Sequence, residues 1–360
     1  MNKEVGQEVT YLTRNDWEGT MPSIEKTVKI ALNDYLIQAL QDQQYKTDAK
    51  SDVKMPTLGA KNGKKLVDMI GLEYDDTAWQ ELLDQLTFDE MVSLIGDSFH
   101  WTMPILSVQA PGTRDENGPQ GLTVALFGSQ LGVETTALTS EDVLAATFNK
   151  ELVYEIGKVV GNDCLDAKVT FLYGPGANTH RAPYSGRNFE YYSEDGFLSS
   201  EIGRYEVKGI EDKGVRVVMK HFALNDCEQD RIGLGVWLNE QAAREIYLKA
   251  FQGALENEVG NGVMFAYTRW GTQWSGSVPW LAHIMRTEWN NNGLNITDNV
   301  LTAYVNSLDG IFGAMTTCDS MLAFMPIGNL QGFENDGNVV AAMKEACHHN
   351  LYALANSNAM

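Results

Sequence analysis

Residues 214–222 read GVRVVMKHF: a glycine, a run rich in β-branched and apolar side chains, then two ionisable groups, Lys220 and His221, before Phe222. Such a run is short for a helix and suits a buried strand. Three further stretches share the plan. Val169-Thr170-Phe171-Leu172-Tyr173 leads into GPGAN, Gly262-Val263-Met264-Phe265-Ala266 into Tyr267, and Gly293-Leu294-Asn295-Ile296-Thr297 into Asp298. Helical patterns lie between them. Asn239 is a predicted N-cap for Ala243, Ile246, Tyr247, Ala250, Phe251 and Ala254 at helical spacing. Pro279 opens another helix, which ends near Asn291-Asn292-Gly293. Strands alternating with helices predict a parallel sheet with right-handed crossovers. Polar groups at successive strand ends then meet on one face. In a closed barrel that face carries the active site, whereas an open flavodoxin-like sheet needs its ligand at a topological switch point. Several polar strand ends together favour an α/β fold of the (β/α)8-like TIM barrel kind, with room for an irregular or incomplete strand.

The whole chain fits that size. Its 360 residues are 44% hydrophobic and 21% charged, enough to bury a large core. Residues 1–75 read as a polar approach segment with one amphipathic stretch (Val28 to Leu40), residues 76–335 as the barrel, and residues 336–360 as a C-terminal helix. The net charge of −21 argues against nucleic acid or an anionic membrane as partner, since either needs a cationic face. The opening residues lack a secretory signal and no apolar run is long enough to span a bilayer, so a cytoplasmic location is expected. Cys164, Cys227, Cys318 and Cys347 form no C-x-x-C pair and read as reduced thiols. Cys347-His348-His349 is a poor metal motif because neighbours on a helix point apart. No metal or organic cofactor is expected.

Three constellations carry chemistry. Asp298 ends an apolar strand: it either faces a polar cleft or caps a following helix. Lys220 and His221 follow a buried strand, and Asn225, Glu228 and Arg231 come close behind. That density looks like a site loop, against the plainer reading of a surface lysine and a hydrogen-bonded histidine. Arg187, in GRNFEYYSED, either forks two hydrogen bonds to ligand hydroxyls or braces a loop through a Glu.

These strings resemble glycoside hydrolase family 3, the β-glucosidases. The matching segments are Asn117-Gly118-Pro119-Gln120-Gly121-Leu122, NTHRAPYSGRNFEYYSED (178–195), KHFALNDCEQDR (220–231), NEQAAREIYLKAF (239–251), VMFAYTRWG (263–271), LAHIMRTEW (281–289) and GLNITD (293–298). They fall in the family's order. The opening YLTRNDWEGTMP and the ending LYALANSNAM look like members whose barrel lies C-terminal to the other domains. The resemblance implies a (β/α) barrel and a retaining hydrolase of terminal β-D-glucosyl residues in short β-glucosides or oligosaccharides. It makes Asp298 the catalytic nucleophile, with Arg187, Lys220, His221, Tyr267 and Asn117 lining the first sugar subsite. Arg187 and Lys220 are expected to lower the pKa of Asp298 and keep it ionised. A covalent glycosyl-enzyme follows, with a second carboxyl as acid and then base.

Several positions depart from the family pattern. Asn117 stands where the DGP-type motif has Asp, and Asp115 is the candidate replacement for that charge. Asn299 stands where Trp often follows the nucleophile, and Cys227 where many relatives have Gln. KHFALND is unlike the KHFPGHG-type loop of the N-acetylglucosaminidase branch. The acid/base Glu of multi-domain relatives comes from another domain, so a second domain or subunit is expected to supply it. The alternative is an incomplete, non-catalytic sugar-binding barrel.

Overall fold

The computed structural model describes residues 32–41, 53–123, 131–181, 183–258, 260–320 and 330–360. Most of the approach segment, including Val28–Ala31 of the amphipathic stretch, lies outside them. Its described part contains the helix Asp34–Gln41.

The four predicted strands and a fifth that was not predicted, Asp115–Asn117, form one parallel sheet. Strands β1 (Asp115–Asn117), β2 (Phe171–Gly176), β3 (Arg216–Phe222), β5 (Gly262–Phe265) and β8 (Ile296–Thr297) stand side by side in that order. A small second sheet joins β4 (Gly235–Val236), β6 (Arg269–Trp270) and β7 (Gln273–Trp274), from the segments that follow β3 and β5.

Backbone hydrogen bonds carry the five-stranded sheet on into a ring. Thr297 N–H donates to the Thr317 carbonyl at 3.3 Å. Cys318 and Ser320 donate to the carbonyls of Ile95 and Ser98 at 2.7 and 2.8 Å, and Asp115 donates to that of His100 at 2.9 Å. The described barrel thus has five ladder strands and two irregular staves, near residues 316–320 and 98–102. Only the five ladder strands follow the regular hydrogen-bond pattern.

β8 is shorter than its sequence run because side chains take over the pairing. Asn295 N–H donates to Thr316 Oγ1, and Asn295 Nδ2 donates to the Ala314 carbonyl. Asn295 Oδ1 accepts Val263 N–H from β5, as Asn261 Oδ1 accepts Val217 N–H from β3. A buried amide replaces a ladder bond at each strand start and pairs the Val263 and Val217 N–H groups.

Helices wrap the ring, the three predicted ones in place and others besides. Asn239 caps its helix through Ala242 N–H, and Pro279 sits in the first turn of the helix it opens. The helices Lys150–Asp166 and Gly196–Glu211 are capped by Asn149 and Asp195 and pack on one another. Their backbones nearly touch: a Cβ on Gly157 would lie 2.1 Å from the Glu206 carbonyl oxygen, and one on Gly209 2.2 Å from that of Tyr154. The C-terminal helix, Gly337–Ala355, completes the shell, with Asn350 Nδ2 donating to the Thr316 carbonyl. Among the described residues, no helix is long and apolar enough to cross a membrane.

Candidate functional site

At the C-terminal ends of the strands lies a cleft of roughly 350 Å³, lined by Asn117, Arg187, Lys220, His221 and Asp298 among others. Consecutive residues of a regular strand face opposite sides, yet both Lys220 and His221 line it. The pairing of β3 with β5 shifts register between Lys220 and Phe222, and this irregularity turns both side chains toward the cleft. The plainer reading of Lys220 as a surface lysine does not hold, since only 4% of it is exposed.

Lys220 Nζ donates to Asn117 Oδ1 at 3.2 Å. Arg187 forks onto Glu190, Nε to Oε1 at 2.9 Å and Nη2 to Oε2 at 2.6 Å, while its Nη1 points to His221 Nε2 at 3.1 Å. The two readings of Arg187 are therefore both met: one edge braces the loop and the remainder faces the cleft. A guanidinium only donates, so His221 Nε2 must be the acceptor and its proton sits on Nδ1, which reaches Tyr191 Oη at 3.2 Å. Burial, with the charges of Arg187, Lys220 and Arg231, holds His221 well below the ordinary histidine pKa. The 3.8 Å approach of His221 Nε2 to Asp298 Oδ2 is therefore not an ion pair but a neutral ring beside a carboxyl.

Asp298 caps no helix. Its Oδ1 accepts the N–H of the next residue, Asn299, at 2.8 Å, and the next helix, Ser307–Gly310, is capped by Asn306. The expected electrostatics are only half met. Arg231, the Asn299 N–H, Arg187 and Lys220 all lower the pKa of Asp298, but burial outweighs them and the net shift is upward.

Two other expectations meet a different geometry. Asp115 does not restore the charge absent at Asn117: it is buried outside the cleft lining and accepts from Thr113 and Thr102 at 2.7 and 3.1 Å. Tyr267 is buried and absent from the lining; its hydroxyl donates to the Asn299 carbonyl, and the Arg231 guanidinium lies 5.2 Å above its ring. It supports the backbone beside Asp298 rather than facing the cavity.

The cleft also contains groups that the sequence did not single out, above all Asp319 and His100. Both sit on the irregular staves, where no strand pattern marks them. Asp319 Oδ1 accepts the His100 N–H at 2.9 Å and so holds His100 in a left-handed conformation, φ +46°. Burial foremost, then the neighbouring Asp298 and Asp115, raise Asp319 to about 8, against the opposing pull of the His100 N–H and Lys220.

A carboxyl whose pKa rises on folding stabilises the fold most at low pH. That contribution is lost as pH climbs from the ordinary aspartate value of 3.8 toward about 8. Asp319→Asn keeps an oxygen for the His100 N–H and removes the titration. In thermal melts, the stability of the variant relative to the unaltered chain should therefore improve between pH 5 and 8, on the order of a few kcal/mol at most. Parallel pH curves for the two proteins would refute this.

Residues 125–315 match the model of the glycosyl hydrolase family 3 N-terminal domain. The chain is 32% identical over 226 residues to thermostable β-glucosidase B of Acetivibrio thermocellus, which covers 61% of this chain and 30% of that protein. It is also 32% identical over 246 residues to the probable β-glucosidase I of Aspergillus fumigatus, covering 68% of this chain and 28% of that one. The chain thus spans about 30% of the length of the curated relatives it matches. Among solved structures, β-glucosidase 3B of Thermotoga neapolitana in complex with glucose superposes with a TM-score of 0.69 at 28% identity, over 78% of this chain and 42% of that one. A Paenibacillus barengoltzii β-glucosidase shares the fold at a TM-score of 0.74 and 24% identity, over 88% and 37% of the two chains. With the family model matching more than half of the chain, including strands β2, β3, β5 and β8, the chain is a member of glycosyl hydrolase family 3 and carries its N-terminal barrel domain.

Proposed function

We propose that the cleft takes the terminal glucosyl residue of a short β-glucoside and that Asp298 attacks its anomeric carbon. One observation carries this reading: a buried carboxyl at the end of β8 shares a cavity with Lys220, Arg187, Arg231 and a neutral His221. The cations draw a sugar's hydroxyl oxygens and favour the ionised nucleophile. Attack gives a covalent glycosyl-enzyme, and hydrolysis by water then retains the anomeric configuration. Asn117 acts through its bond to Lys220, and Tyr267 through Asn299.

The acid that protonates the leaving group must reach the glycosidic oxygen from the mouth of the cleft. Asp319 belongs to the stave beside Asp298 and accepts the His100 N–H, and Glu190 is held by Arg187. We therefore assign the acid/base Glu to a further domain or subunit. The barrel itself is assigned to residues 76–335, with the approach segment at 1–75 and the C-terminal helix at 336–360.

Incubating the chain with an activated 2-fluoro β-glucoside tests the reading, because the fluorine slows release of the covalent intermediate. Mass spectrometry should find one adduct, on the peptide bearing Asp298. An adduct elsewhere, or none while the substrate is consumed, would overturn it.

The alkaline limb is also set. Lys220 is pushed down to about 8, chiefly by burial, so its ammonium is lost above that pH and KM for an aryl β-glucoside should rise. Lys220→Arg, which stays charged, should abolish that rise at some cost in affinity. A KM that stays flat to pH 9.5 in the unaltered chain (about 1.5 units above that midpoint) would exclude this role.

A further inference from the structure

We infer that Gln120 is a hydroxyl-reading residue of this cleft, its side-chain oxygen aimed into the cavity by the buried carboxyl of Glu141. The inference rests on the proposed glucosyl site and adds a residue to it. Gln120 lies just after β1 in the cleft lining, and its own carbonyl accepts Leu138 N–H at 3.2 Å, which fixes the backbone. Its side-chain Nε2 faces two acceptors, Glu141 Oε2 at 2.7 Å and the Phe189 carbonyl at 3.4 Å. Turning the amide over would set Oε1 against the Phe189 carbonyl, oxygen on oxygen. With both N–H groups turned to the wall, Oε1 is left for the cavity.

Glu141 is suited to hold it. Its residue exposure is 0%, and its other oxygen, Oε1, is buried without a hydrogen-bond partner among the described residues. One carboxyl oxygen is thus committed to Gln120, and a carboxyl oxygen accepts from an amide whether or not the group carries a proton.

The rest of the cleft explains what this oxygen is for. Lys220, Arg187 and Arg231 can only donate, while each ligand hydroxyl both accepts and donates. A neutral acceptor near them completes that pairing, and Phe189, 47% exposed and also in the lining, offers an apolar ring beside it. The ligand class is a polyhydroxylated ring that presents one hydroxyl hydrogen to Gln120.

Calorimetric titration of the full chain with glucose and its 2-, 3-, 4- and 6-deoxy analogues tests this, using the unaltered protein, Gln120→Met and Glu141→Gln. Gln120→Met removes the acceptor at a half-buried position and should weaken glucose binding about five- to tenfold, the scale of one neutral hydrogen bond. For one deoxy analogue the unaltered chain should already show that loss, and Gln120→Met should add nothing further. Glu141→Gln keeps an oxygen that accepts from Gln120 Nε2, so it should leave the glucose affinity and the ranking of the deoxy analogues in place. If Glu141→Gln fails to fold, Gln120→Met alone decides. Unchanged affinities across the series in Gln120→Met overturn the inference while the glucosyl site stands. No glucose binding by the unaltered chain overturns both.

Discussion

Asp298→Asn lowers kcat/KM for a 2,4-dinitrophenyl β-glucoside by at least about 10³-fold, a transition-state loss of roughly 4 kcal/mol. The substitution keeps the size of the side chain and the acceptor for the Asn299 N–H, so the fold is retained. It removes the charge and the oxygen nucleophile together, and an amide forms no comparable bond to the anomeric carbon. An aryl leaving group that departs without a proton makes the measurement independent of where the acid/base resides. Azide sharpens the test. In Asp298→Asn it can occupy the vacated face and give the glucosyl azide of inverted configuration. In the unaltered chain it can only intercept the glycosyl-enzyme, which gives the azide of retained configuration. A variant within tenfold of the unaltered rate would remove Asp298 from the mechanism.

Gly262→Ala destabilises the chain by about 3 kcal/mol or more, seen as a large fall in melting temperature or as loss of soluble protein. The added methyl carbon would stand 1.6 Å from the Leu294 carbonyl oxygen and 2.8 Å from Asn295 Oδ1. Neither neighbour is the free end of a flexible side chain. Leu294 is backbone, and Asn295 Oδ1 is the acceptor that ties β5 to the start of β8. The two strands must part at the place where both depend on a side-chain bond, and β8 leads directly into Asp298. Any folded fraction should therefore also lose affinity for glucose. An alanine variant that melts within about 2 °C of the unaltered chain would show that the strands can separate without cost, contrary to the close packing expected of a core.

The site was legible in proportion to the regularity of the strand beneath each residue. Lys220 and Asp298 stand at the ends of strands with a clear apolar run, and the alternation of those runs with helices gave the parallel fold. Arg187 was legible through its glycine- and aromatic-rich setting, and its two alternative roles coexist because a guanidinium has enough donors for both. Asp319 and His100 were not legible. They ride on staves that follow no period, and a carboxylate in TTCDSM carries no local mark of its position beside Asp298. The expected pKa of Asp298 failed for a related reason: the sequence counts neighbouring charges, whereas burial, which overrides them, is a property of the folded cavity.

The sequence by itself determined the class of fold, the alternation of strands with helices and the identity of the carboxyl at the end of β8. Those follow from local apolar patterns and from the stiffness of β-branched side chains, which act within a few residues. Only the tertiary structure decided three further things: that His221 is neutral, that Asp115 is spent on threonines, and that Tyr267 backs the cleft instead of lining it. His221 and Tyr267 meet partners 30 to 34 residues away along the chain, Asp115 meets threonines 2 and 13 residues away, and all three depend on how much water the closed ring excludes.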